Sequence, residues 1–241
     1  LQEQWVELAA NAFPGNGRLL LDVPPGKDPV DEAAAPVQVG NSLIAAIDEA
    51  TDEVWLISAY LIPTPELEDA ITRAETRGAE VRILTNSISS NNHLSAHSAY
   101  RNHLRALLSA GAEIYEVRAD AEDRSRYIAA PVAEKDLGLH AKLLIFDDHS
   151  AYVGSANLDR RSLHINTEMG LLIESPELNR RLREHLSPDF SLRNAWAVKL
   201  DENGQISWQS DDETLYHQPT HSYMRQLEDW VLSLLPIESE L

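Results

Sequence analysis

The chain has 241 residues, a formal net charge of −19, 43% hydrophobic residues and no cysteine. That size and apolar fraction suit one large domain with a sizeable core, and the missing cysteines exclude disulfides, thiol chemistry and Cys-ligated zinc. The acidic excess repels polyanions and so argues against a nucleic-acid partner and against a polybasic grip on lipid, while no run approaches the ~20 apolar residues that span a bilayer.

Residues 1–36 read as a connector from a preceding half. The turn-rich "NAFPGNG" and "VPPGKDPVDEAAAP" flank a short apolar run, "RLLLDV", with the pattern of a strand. The chain opens on Leu1 without an initiator methionine, so an excised piece is expected. From 37 to 241 strand and helix patterns alternate. A helix is expected over 41–50 with Asn41 or Ser42 as its cap, then a buried strand over 53–62. The next helix, 64–78, carries Thr64 as cap, Pro65 in its first turn and Gly78 at its stop. Strand 79–86, helix 95–111 and strand 112–118 follow, then a strand pair in "HAKLLIFD" and "SAYVGSAN", strand 168–175 and helix 176–186. "AWAVKL" and "QISWQS" around "DENG" predict a hairpin, and 221–235 an amphipathic closing helix. The fold class is therefore α/β, with a mixed, mostly parallel sheet, helices on both faces, and a small C-terminal hairpin and helix over 194–235.

The chemistry concentrates in "LGLHAKLLIFDDHSAYVGSANLDRRS", residues 137–162. Side chains alternate along a strand, so His140 and Lys142 share a face. An imidazole and an ammonium are poor core residues and imply a cleft. On the neighbouring strand Gly154 permits a close backbone approach, and Ser155 and Asn157, two apart, point together. Lysine and asparagine both donate hydrogen bonds to phosphoryl oxygens, and histidine can attack phosphorus or protonate a leaving alkoxide. Lys142 can neutralise the developing charge, so neither a metal nor another cofactor is expected.

His140, Lys142, Asp147, Gly154, Ser155 and Asn157 together resemble the HKD signature of the phospholipase D superfamily. From about residue 17 onward the chain is similar to the second half of bacterial cardiolipin synthases, and "NAWAVKLDENGQISW" most resembles their C-type branch. The resemblance implies two such motifs facing each other across a pseudo-two-fold axis. One histidine carries a covalent phosphatidyl group; the other protonates the leaving alcohol and activates the incoming one. It implies His140 as the acid/base, Lys142 and Asn157 on the phosphoryl oxygens, and Ser155 either behind them or on the phosphate itself. Glu168 is expected to accept a hydrogen bond from the far ring nitrogen of His140. Asp147 completes the catalytic set of the motif; its odd spacing from His140 puts it off the shared face, as structural support. The substrates implied are phospholipids, phosphatidylglycerol and a phosphatidyl donor, handled by a membrane-associated parent protein.

None of the other eight histidines is followed at plus two by lysine, so one set of a two-histidine site is present. Its partner is expected to be a missing N-terminal half carrying the other set, whose loss would leave apolar surface uncovered; a homodimer mate is the alternative. Two further readings stay open, a one-motif dimeric phosphodiesterase or nuclease and a catalytically silent domain. His93 and His97 are spaced i, i+4 but lack the glutamate of a zinc-protease helix, and are expected to line the substrate cleft. Arg160 and Arg161 suit either a lipid phosphate or a local ion pair with Asp159. Trp55 is expected in the core, Trp196, Trp208 and Trp230 either there or at a membrane, and the closing helix with its Tyr223, Leu227, Trp230 and Leu234 stripe packed on the core.

Overall fold

A computed structural model describes residues 12–23, 39–128, 137–220 and 222–235. Its strands are β1 (Asn16–Leu21), β2 (Glu53–Ser58), β3 (Glu80–Asn86), β4 (Glu113–Val117), β5 (Lys142–Phe146), β6 (Ser150–Gly154), β7 (Met169–Glu174), β8 (Ala195–Leu200), β9 (Ile206–Gln209) and β10 (Thr214–Leu215). The helices are α1 (Val39–Glu49), α2 (Pro65–Arg77), α3 (Leu94–Ala110), α4 (Pro176–Leu186) and α5 (Tyr223–Ser233). All ten strands form one sheet in the order β1-β7-β6-β5-β2-β3-β4-β8-β9-β10.

The expected α/β class and mixed sheet are present, but the sheet is not mostly parallel. Only β2–β3 and β3–β4 pair in parallel; the other seven neighbours are antiparallel. Connection length accounts for part of this. Helices α2 and α3 carry the chain back across the sheet, as parallel pairing requires, whereas residues 147–149 join β5 to β6 in a tight turn that can only reverse direction.

The central strand β2, "EVWLIS", is apolar at successive positions because both its faces are covered. Val54 and Leu56 face α1, α2 and α3 together with Val81, Ile83 and Leu144, while Trp55 and Ile145 pack under Leu182 and Leu186 of α4 and Phe190. Helix α2 starts as read: Thr64 accepts from Leu67 N, Pro65 is the first helical residue, and Gly78 ends the helix in the left-handed region (φ 93°). Helix α1 instead begins at Val39, before the expected Asn41 or Ser42 cap, because Asp22 Oδ1 accepts from Val39 N at 2.7 Å. Within the stretch read as a connector, β1 is an edge strand paired antiparallel to β7; residues 1–11 and 24–36 lie outside the described residues. The strand expected to run to 62 ends at Ser58. A single π-helical turn, Arg161–Ile165, was not anticipated. No helix among the described residues is long and apolar enough to cross a membrane.

Candidate active site

Lys142 opens β5, and His140 lies two residues before it. The two side chains converge as the alternation predicts: Lys142 Nζ lies 3.5 Å from His140 Nε2 and donates to the His140 carbonyl at 3.1 Å. His140 is exposed and Lys142 half-buried. Burial pulls the Lys142 ammonium below its usual value, against the opposing fields of Glu168 and Asp159.

The segment bearing His140 is fixed by β3. Asn86, at the end of that strand, donates from Nδ2 to Leu139 O at 2.9 Å and accepts from Leu139 N at 2.8 Å. The "GSAN" segment is held on the other side. Ser58 is the register partner of Lys142, and its hydroxyl accepts from Leu158 N at 3.1 Å, which draws residues 155–158 beside the lysine. Gly154 is required by packing, since a Cβ there would meet the Tyr152 hydroxyl and lie 2.5 Å from Met169 O. The Tyr152 ring lies over Gly154 and its register partner Gly170, so both glycines serve one buried tyrosine.

Asn157 is the clearest open binding group. Its Oδ1 is buried and has no hydrogen-bond partner. A half-turn of the amide exchanges oxygen for nitrogen and presents N–H to a phosphoryl oxygen. Asn157 lines a cavity of about 250 Å³ with Tyr60, His93, Asp159, Arg161 and Asn166. A second cavity, about 490 Å³, lies against His140 and is mainly apolar, lined by Leu84, Val117, Ile128, Leu137, Leu139 and Ala141. The apolar recess reaches His140, and the other is lined by Asn157 and its polar neighbours.

Glu168 does not bond to His140 as expected. Its Oε2 accepts from the Ser155 hydroxyl and its Oε1 from Asn166 Nδ2 at 3.1 Å. The backbone of Glu168 is clamped by Asp22: Glu168 N donates to Asp22 Oδ2 at 3.1 Å, and Asp22 N to Glu168 O at 3.0 Å. Ser155 is likewise occupied, since its hydroxyl also accepts from Met169 N at 3.0 Å. Ser155 therefore stands behind the site, holding Glu168. Asp147 lies beyond the opposite end of β5 from His140. Its Oδ1 accepts from Asp52 N at 2.8 Å and Glu53 N at 3.0 Å, with Thr51 N at 3.1 Å on Oδ2, and its own backbone takes a positive φ of 48°. It closes the turn before β2, the place of structural support that its odd spacing from His140 led one to expect.

The two further histidines separate. His93 lines the Asn157 cavity, whereas His97 is fully buried, with Nδ1 2.9 Å from Asp229 Oδ1. Arg161 faces the Asn157 cavity; Arg160 lines another with His164. Three residues not assigned a place in the site also surround it: Tyr60, Asp159 and Asn166. Asp159 is held by Ser162 N at 2.7 Å, and burial raises its carboxyl above the usual range. Its only sequence signal is proximity to the motif, in "NLDRRS".

The family model described as "Cardiolipin synthase, PLD-like domain" matches residues 43–190. The chain belongs to this phospholipase D-like family. It is 29% identical to cardiolipin synthase C of Escherichia coli (strain K12) over 194 residues, which cover 78% of this chain and 41% of that protein. Its fold is similar to that of Nuc, a phospholipase D family member from Salmonella typhimurium, with TM-score 0.53 and 16% identity over 77% of this chain and 99% of the other. It is also similar to the phosphatidylserine synthase of Haemophilus influenzae Rd KW20, with TM-score 0.58 and 14% identity over 78% and 41%. The chain spans about two fifths of the length of the curated relatives it matches.

Proposed function

We propose that the chain is one catalytic half of a phosphatidyl transferase of cardiolipin synthesis, with His140 as its acid/base. The observation that carries the reading is the convergence of His140 and Lys142 at the mouth of an apolar recess large enough for part of an acyl chain, with the unpartnered Asn157 amide on the neighbouring segment. In the first step the imidazole of the other His-Lys set, supplied by the partner half, attacks phosphorus of the donor lipid, and the phosphorus–oxygen bond to the leaving alcohol breaks. His140, protonated, gives its proton to that alcohol oxygen. In the second step His140 takes the proton from a hydroxyl of phosphatidylglycerol, whose oxygen bonds to phosphorus as the phosphorus–nitrogen bond breaks and the other histidine is released. Lys142 and Asn157 hold the non-bridging oxygens while charge builds on them.

The edge of the sheet next to the site supports the need for a covering half. Leu19, Leu21, Val153, Met169 and Leu171 share one face by register, and all are exposed. Met169 and Val153 adjoin Glu168 and the "GSAN" segment. The parent protein then works as a peripheral membrane enzyme. In a protein carrying both His-Lys sets, His140→Asn is expected to lower transfer to phosphatidylglycerol by at least ~10³-fold with an unchanged unfolding midpoint. Near-wild-type transfer overturns the assignment.

A second reading is a phosphodiesterase that pairs with its own copy. It draws on the match to nearly the whole of Nuc, 99% of that chain. Light scattering separates the two: a tight symmetric dimer that cleaves phosphodiesters without an alcohol acceptor favours this alternative.

A further inference from the structure

Three aspartates are buried among the described residues: Asp147, Asp159 and Asp229. Two of them serve the fold. Asp147 closes the turn before β2. Asp229 accepts from the Ser98 hydroxyl at 2.9 Å and from Arg101 Nη1 at 3.1 Å, and its Oδ1 lies 2.9 Å from His97 Nδ1. It thereby fixes α5, and the stripe of that helix expected in the core, Tyr223, Leu227, Trp230 and Leu234, is turned outward. Asp159 differs from both. It is 7% exposed, yet it lines the cavity at Asn157.

The chain just beyond β2 brings Asp159 there. Leu158 N donates to Tyr60 O at 3.2 Å and Ile62 N to Leu158 O at 2.7 Å, so the segment after "GSAN" runs beside residues 60–62. One carboxylate oxygen, Oδ1, accepts from Ser162 N at 2.7 Å and steadies the π-helical turn. The carboxylate also shares the cavity wall with Tyr60 and Arg161. Asn166, on the same wall, donates to Glu168 Oε1 at 3.1 Å and so ties the cavity to the site. The field of Asp159 reaches the Lys142 ammonium. A carboxylate repels a phosphate, so the anion itself is not what Asp159 is placed to meet.

We infer that Asp159 determines which alcohol is used, accepting a hydrogen bond from a free hydroxyl of a glycerol headgroup seated in the Asn157 cavity. This rests on the proposed phosphatidyl transfer, in which Asn157 holds a phosphoryl oxygen and the cavity it borders is the space beside the phosphate. Three observations select a neutral polyol. The cavity carries both a carboxylate and the Arg161 guanidinium. A hydroxyl donates to the first and accepts from the second, whereas an ammonium headgroup would be opposed by Arg161 and by Lys142. Its volume, about 250 Å³, takes a three-carbon headgroup, while the larger apolar space is the separate cavity at His140. The hydroxyl on Asp159 is the one next to the reacting hydroxyl, whose proton goes to His140, so the transfer gains no step.

The test compares wild type with Asp159→Asn in a protein carrying both His-Lys sets. Asparagine keeps an oxygen for Ser162 N and removes the charge. The donor is phosphatidyl-p-nitrophenol, whose leaving group has no second hydroxyl, so p-nitrophenol release reports the first step alone. Glycerol, 1-propanol and ethanolamine are the soluble acceptors. Wild type is expected to favour glycerol over 1-propanol by at least ~10-fold in kcat/KM. The variant is expected to bring the two within about threefold, through a raised KM for glycerol, with p-nitrophenol release and unfolding midpoint unchanged. Four results would each overturn the inference: no glycerol preference in wild type, the same preference in the variant, equal loss of p-nitrophenol release and transfer, or a preference for ethanolamine that the variant loses. The last would make Asp159 a reader of ammonium. Wild type that releases p-nitrophenol but passes the phosphatidyl group only to water ends the transferase reading by itself. Selection is then read from hydrolysis of phosphatidylglycerol against phosphatidyl-1-propanol: wild type should favour the first and the variant neither, and equal wild-type rates overturn it. No p-nitrophenol release ends both.

Discussion

His140 lies exposed with its ring 3.5 Å from the Lys142 ammonium, whereas His97 is fully buried 2.9 Å from the Asp229 carboxylate. The second pair looks more like catalytic machinery, since an imidazole oriented by a carboxylate is a familiar acid/base arrangement. Yet it is sealed: Ser98 and Arg101 take the remaining capacity of Asp229, and His97 is wholly enclosed. Opposite charges packed together there close a site. At His140 two cationic or proton-bearing groups converge with no carboxylate among the described residues bonded to the ring, and Asn157 has an unpartnered buried oxygen. Such a cluster is incomplete by itself and is completed by an anion. The lesson is to judge a histidine by what remains unsatisfied around it.

That contrast can be broken from either side. The largest effect is expected at Lys142: Lys142→Ala in a protein with both His-Lys sets should lower phosphatidyl transfer by roughly 10²–10³-fold with no change in urea midpoint, and a stability loss in its place would make Lys142 structural. Asp229→Ala should do the opposite. Removing one partner of a buried ionic cluster costs roughly 3–5 kcal/mol, read as a lower urea midpoint and as fast amide exchange in α5; an unchanged midpoint would show that the cluster holds nothing.

The same cluster supplies a pH test. Glu116 is buried beside His97, and its Oε2 has no hydrogen-bond partner among the described residues; burial raises its carboxyl from its ordinary value of 4.5 to about 7. The folded state thus holds this proton more tightly than the unfolded chain. Its stabilising contribution is complete below about pH 4.5 and is lost as pH rises to about 7. Glu116→Gln should remove that decline, worth about 3 kcal/mol at roughly 1.4 kcal/mol per pKa unit, and leave stability more nearly flat over the window; an identical pH profile would contradict it. The smallest effect is expected at Gly154, where alanine's Cβ would press on Tyr152 and Met169 O. Gly154→Ala should cost about 2 kcal/mol by overpacking, measured by denaturation, and lower transfer through a displaced Asn157; full stability would show that the tyrosine can move aside.

Most of the site was legible because its signal is local. His140, Lys142, Gly154 and Asn157 lie at fixed spacings in and beside two adjacent strands, and an extended backbone suffices to bring the first two together. Thr64, Pro65 and Gly78 marked α2 for the same reason. What was not legible depends on distant partners. Glu168 is fixed by Asp22, far away in the chain, and Asp147 by Thr51, Asp52 and Glu53. The orientation of α5 was unreadable since amphipathic periodicity gives the two faces of a helix without saying which one a protein will cover; one buried aspartate on α5 decided it. Short turns account for three of the antiparallel pairs, β5–β6, β8–β9 and β9–β10; the other four depend on where distant strands dock, which local pattern does not carry.

The most direct test of an anion-completed site is a crystal structure of the protein grown with inorganic phosphate. The account predicts one phosphate with its oxygens on Lys142 Nζ and the Asn157 amide, and His140 Nε2 within ~3.2 Å of an oxygen. Saturating phosphate that leaves this face empty, with Lys142 and Asn157 bonded to other protein groups, would contradict it.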